Sequence, residues 1–134
     1  NARTGSGGVS FFVKNSLLQD FDITVLDSSY EGILWLKMRH KYDKVVLLPC
    51  VCYLPPENSS RYFDVNTFYD SLLADTYRYQ NDGLMFICGD FNSRCGDLED
   101  YISGVDIVPE RSVLDFKTNS YGDMFIDFLI RMKR

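Results

Sequence analysis

Asp90 and Asn92 stand two positions apart, directly after the apolar run of residues 84–89. A carboxylate can hold a divalent cation or a proton, and a carboxamide can donate to an anionic oxygen. Side by side they suit a phosphate and its counter-cation. Alternation along an extended chain puts residues two apart on the same side. The pair is therefore expected to converge just beyond a strand end, where open α/β sheets present their ligands. The competing reading is structural: an Asp-x-Asn at a strand end commonly forms a turn that caps its own backbone.

Other reactive side chains give less. Cys50, Cys52, Cys88 and Cys95 lack paired Cys-x-x-Cys or Cys/His zinc spacing, and the one histidine is His40. Buried reduced thiols are expected, which points to a reducing compartment. His40 falls in a polar break between two apolar runs and reads as a solvated turn residue. Arg61 and Arg94 flank two polar loops, where an arginine can meet phosphate but usually does nothing specific.

The surrounding pattern supplies the elements that would position the pair. Residues 8–14 alternate Val9, Phe11 and Val13 against Ser10, Phe12 and Lys14, a strand pattern. A second apolar stretch covers residues 23–26. Residues 33–39, with Leu34, Leu36 and Met38 on one face, and residues 44–53 read as a β-hairpin across the break His40-Lys41-Tyr42-Asp43. Pro49 cannot donate to a ladder, so an edge or a bulge is expected there. Residues 54–60 form a loop rich in turn residues.

Asp64 is a candidate N-cap for a helix reaching about Tyr79, with Val65, Phe68, Tyr69, Leu72, Leu73 and Thr76 on one face. Asn81-Asp82-Gly83 ends it before the strand at residues 84–89. Residues 98–102 suggest a helical turn or two. Asn119 or Ser120 can cap a last helix over residues 121–132, with Phe125, Phe128, Leu129 and Met132 as its apolar side. The order describes an α/β or α+β domain with layered sheets.

At 134 residues the chain reads as one domain, long enough for a real core. The 15% aromatic content supports a folded chain over a disordered one. A net charge of −5 argues against a passive DNA coat held by broad electrostatics, though not against an enzyme working through bound cations. No apolar run reaches the roughly 18 residues of a membrane helix. The opening Asn1-Ala2-Arg3-Thr4-Gly5-Ser6-Gly7-Gly8 has no leader pattern, and with the closing Arg131-Met132-Lys133-Arg134 it suggests an internal piece of a longer domain.

Taken in order, these pieces resemble a known family. Gly7-Gly8 enters a strand pattern, a later one ends in Tyr53-Leu54-Pro55, a helix follows, and another ends in Gly89-Asp90-Phe91-Asn92. This is similar to the endonuclease/exonuclease/phosphatase superfamily, which includes apurinic endonucleases and deoxyribonuclease I. Within it the chain looks most like the endonuclease domain of LINE-type non-LTR retrotransposons. The stretch from Val113-Leu114-Asp115-Phe116 through Asn119-Ser120-Tyr121-Gly122 into Ile126-Asp127-Phe128-Leu129 resembles that subgroup too.

The resemblance implies a four-layer α/β sandwich of the deoxyribonuclease I-like type, incomplete at both ends. It implies a Mg²⁺ (or Mn²⁺) cofactor, DNA as the parent protein's substrate, no membrane and a nuclear location. Asp90 would position or deprotonate the attacking water, or hold a metal. Asn92 would contact the scissile phosphate and orient Asp90, and both serve as the expected metal residues. Tyr53 would reach a phosphate oxygen. The reaction implied is phosphodiester hydrolysis, with the metal stabilising charge on the leaving or transferring oxygens.

The family's early asparagine and metal-binding glutamate precede the glycine-rich entry, and its late aspartate and Asp-His pair come after the matched segment. Glu31, Glu57, Glu99 and Glu110 fall elsewhere in the order. The polypeptide alone is therefore expected to have little nuclease activity. Two other functions remain open. One is the same chemistry on an inositol phosphate, a lipid or a nucleotide; the other is a non-catalytic remnant acting as a binding module.

Overall fold

The computed structural model describes residues 8–60, 63–107, 109 and 111–133. Gly7, Arg61, Glu110 and Arg134, singled out above, lie outside them. The elements run α1 (Leu17–Asp20), β1 (Phe21–Asp27), β2 (Ile33–His40), β3 (Val46–Tyr53), α2 (Val65–Tyr79), β4 (Leu84–Asp90) and α3 (Ser120–Met132). They make a mixed α/β fold with one four-stranded mixed sheet in the order β1-β2-β3-β4. Two compact units emerge, the first from residues up to Tyr53 together with Arg78–Gly89. The second joins Leu54–Tyr77 to the residues from Asp90 onward.

In the first unit β1, β2 and β3 form an antiparallel meander. Val25 pairs with Leu36 but Asp27 pairs with Trp35, so Leu26 is an extra, bulged residue. Past the bulge, Asp27 accepts from Ser29 N at 2.7 Å and from the Tyr79 hydroxyl at 3.2 Å. The buried side of the meander carries Ile33 and Trp35 opposite Cys52 and Cys50. Fully burying an aliphatic side chain such as Ile33 contributes about 1.5–3 kcal/mol. Trp35 is 0% exposed, meets the Tyr79 ring edge-on at 5.6 Å, and its Nε1 has no hydrogen-bond partner among the described residues.

Pro49 does not mark an edge or a bulge. β3 has β2 and β4 on its two sides, and the register with β2 is the same on either side of Pro49, with Trp35↔Cys50 on one side and Met38↔Leu47 on the other. Tyr53 N donates to Gly32 O and His40 N to Val45 O, so alternate residues bond across this pair. By that parity Pro49 faces Leu36 at a bonding position and withholds one donor. The sheet tolerates the loss because its flanking pairs hold.

Two further expectations fail. Residues 8–14 are irregular rather than a strand, although their burial still alternates, and Phe12 is 96% exposed. A strand needs a neighbour to take its N–H and C=O groups, and no ladder partner lies beside this run among the described residues. Residues 98–102 are not helical. Arg111 donates to Gly96 O at 2.8 Å, Leu98 O at 3.0 Å and Asp100 Oδ2 at 3.0 Å, while Asp106 Oδ2 accepts from Ile102 N at 2.6 Å. Side chains thus occupy backbone groups that a helix would use. His40 also differs: it ends β2 and packs edge-on against Phe21 at 4.9 Å, rather than standing in solvent.

The second unit is built on α2 and α3. Asp64 caps α2 by accepting from Asn66 N, Thr67 N and the Thr67 hydroxyl. Phe68, Tyr69, Leu72, Leu73 and Thr76 are buried, as the helical spacing predicts. α3 buries Tyr121, Gly122, Ile126 and Phe128, whereas Phe125, Leu129 and Met132 are only half-buried. The rings of Tyr69 and Phe128 lie 5.6 Å apart, fastening the two helices.

Three carboxylates are held below the ordinary range by hydrogen bonds. Asp27 is lowered first by the Ser29 N–H, Asp64 by the Thr67 hydroxyl, and Asp106 by the Ile102 N–H with help from Lys133. Because the folded state favours their charged forms, the stability they add is present above the ordinary carboxylate pKa. It is lost as pH falls through the lowered values. Urea midpoints are therefore expected to hold from neutral pH down to about 5 and to drop below about 4. A midpoint that rises on acidification would contradict these bonds.

Candidate functional site

β4 exposes Leu84, Phe86, Cys88 and Gly89 and ends in Asp90. Cys88 is exposed, not buried as expected, and Cys95 is half-buried; only Cys50 and Cys52 are fully inside, their sulfurs 3.6 Å apart. Burial raises the Cys95 thiol pKa, so it is a poor nucleophile at neutral pH.

One residue before the strand end Gly89 adopts φ +146°, and a Cβ there would sit 1.9 Å from Cys52 O. Beyond it Phe91 is the anchor. Its ring lies 4.7 Å from Phe125 and stacks on Tyr69 at 6.4 Å. With Phe91 held among the aromatic rings, Asp90 is left exposed and Asn92 half-buried.

Asp90 and Asn92 do come together, but not through strand alternation. Asn92 has a left-handed backbone, φ 46°, so the chain is no longer extended there. Asp90 Oδ1 accepts from Asn92 N at 2.9 Å, which is the self-capping turn weighed above. Asn92 Nδ2 donates to Leu54 O at 2.8 Å, and Leu54 N donates back to Asp90 O at 2.9 Å. One amide hydrogen that the resemblance assigns to phosphate is therefore already engaged.

Tyr53 belongs to the first unit as the last, half-buried residue of β3. Arg94 is exposed. Glu57 accepts a hydrogen bond from the Ser120 hydroxyl, a structural tie within the second unit.

Ser93 and Asn119 are participants that the residue pattern did not assign to the site. The Ser93 hydroxyl bonds the Tyr69 hydroxyl at 3.1 Å and Phe91 O at 3.0 Å. Asn119 was legible as a helix cap, and it does cap α3 by accepting from Gly122 N. Its bonds to Asn92 and Arg94 had no local signal, because they span 27 and 25 positions.

As a cation site this end of β4 is partial. One Asp90 oxygen holds the turn, which leaves its other oxygen and the Asn92 amide oxygen as the oxygens a cation could take. Among the described residues no group of three or more His, Cys, Asp or Glu gathers around a common point. Mg²⁺ is often held by one or two carboxylates completed by substrate phosphates. These residues fit that arrangement and not a self-sufficient cage. Among the described residues no helix is long and apolar enough to cross a membrane. No family model, no curated protein and no solved structure matches the chain.

Proposed function

We propose that the chain is part of a Mg²⁺-dependent phosphodiesterase domain of the endonuclease/exonuclease/phosphatase type, with DNA as the substrate of the parent protein. The observation that carries this reading is the end of β4. There a glycine with no room for a side chain delivers Asp90 to the surface and a strained Asn92 beside it. In this reading Asp90 aligns a water or holds the metal, and Asn92 meets a phosphate oxygen. A non-glycine residue held in a left-handed conformation by its surroundings is a feature that clusters at ligand-binding sites.

The four-layer sandwich belongs to the same proposal. Val25, Leu84 and Phe86 are each more than half exposed on strands of the sheet. Exposed apolar strand residues of this kind are what a second packed layer would cover.

Titrating Mg²⁺ with a short DNA duplex should shift the amide resonances of Asp90 and Asn92, and Asp90→Ala should remove the response. Absence of any shift at these residues would sink the phosphodiesterase reading. It would favour the second one, a non-catalytic binding module in which Asp90 serves only its own turn. In a plasmid-nicking assay with Mg²⁺, the chain alone is expected to stay at background. Robust nicking abolished by Asp90→Ala would overturn the view that the site needs further residues.

A further inference from the structure

We infer that Asn119 is a positioning residue that holds Asn92 in its left-handed conformation, an inference that rests on the proposed phosphodiesterase site. The Asn119 amide works in two directions. Its Oδ1 accepts from Gly122 N, the α3 cap, and from Arg94 N, each at 2.9 Å. Its Nδ2 donates to Asn92 O at 3.0 Å, and its backbone N donates to Arg94 O at 3.1 Å.

A helix cap needs only an acceptor, which is why serine and aspartate cap as well as asparagine. A side chain that both accepts and donates exceeds that need. The surplus donor is the one on Asn92 O. Asn92 is thereby tied at three points: N to Asp90, side chain to Leu54 and carbonyl to Asn119. The first two come from the strand end and the loop after β3. The third couples the Asp90–Asn92 turn to α3, and all of these groups lie within the second unit.

Capping and positioning are separable by substitution. Asn119→Ser keeps a neutral cap and loses the donor. Asn119→Asp keeps both acceptor bonds and sets a carboxylate oxygen against Asn92 O. Both variants are expected to retain hydrogen-exchange protection along α3 while the Asn92 and Asp90 resonances move. In Asn119→Ser, the Asp90 response to Mg²⁺ alone should weaken about tenfold, as when a metal ligand loses its outer support.

Unchanged Asn92 resonances in both variants would overturn the inference and leave Asn119 as a cap only. Should the unsubstituted chain give no Mg²⁺ response, the phosphodiesterase reading falls. The position of Asn92 in the two variants then still decides whether Asn119 holds it. Should the serine variant lose α3 protection, the aspartate variant carries the decision.

Discussion

Gly89→Ala is expected to abolish folding of the first unit. The new Cβ would lie 1.9 Å from Cys52 O and 2.7 Å from Cys52 C and N. All of these are backbone atoms of β3, and Cys52 is 1% exposed in the buried side of the sheet. No flexible side chain can move aside to relieve the overlap. The φ of +146° adds a conformational penalty that only glycine avoids. The loss should exceed about 4 kcal/mol, a size reserved for a few severe mechanisms. Domains of this kind are stable by only about 5–15 kcal/mol in total. Soluble yield and the urea midpoint are the measurements, and a variant with the original midpoint would refute this packing of β4 on β3.

Gly122→Ala sets two principles against each other. Inside a helix, exchanging glycine for alanine should stabilise by about 1 kcal/mol. Here the Cβ would stand 2.0 Å from Arg94 O and 2.7 Å from Arg94 C, again backbone. Overpacking of this kind costs typically about 1–3 kcal/mol and sometimes more. The contact should win, so the variant is expected to be less stable. Because Arg94 O also accepts from Asn119 N, the damage should reach the turn at Asn92. A raised midpoint would mean that α3 does not press on the segment after Asn92.

Much of the fold was legible where the cause is local. The cap at Asp64 and the cap at Asn119 follow from short side chains that accept their own helix's N–H groups. The β2–β3 hairpin follows from two apolar runs and a short polar break. What failed depends on partners distant in sequence. The pattern at residues 8–14 promised a strand but could not supply the neighbour a strand requires. Pro49 suggested an edge, yet the lost bond is a single one and its neighbours in the ladder outweigh it. Residues 98–102 were misread because side chains further downstream engage them, Arg111 taking the Leu98 carbonyl and the Asp100 carboxylate and Asp106 the Ile102 N–H.

The candidate site divides the same way. That Asp90 and Asn92 adjoin at a strand end was readable. That they do so by a turn, with Asn92 left-handed, was not, since it depends on Leu54 and on Asn119. Phe91 could be seen as apolar, but its role as the anchor between an exposed Asp90 and a half-buried Asn92 needed α3 in place.

Trp35 gives the molecule a built-in reporter. It is the single tryptophan, wholly enclosed, with an indole N–H that meets no acceptor among the described residues. An indole in so dry a setting emits at short wavelength, and exposure to water moves the emission to the red. The colour of that light follows the first unit alone, because the second unit carries only tyrosine and phenylalanine. Tracking emission colour alongside helix content would therefore tell whether the sheet and the helices melt as one transition or in sequence.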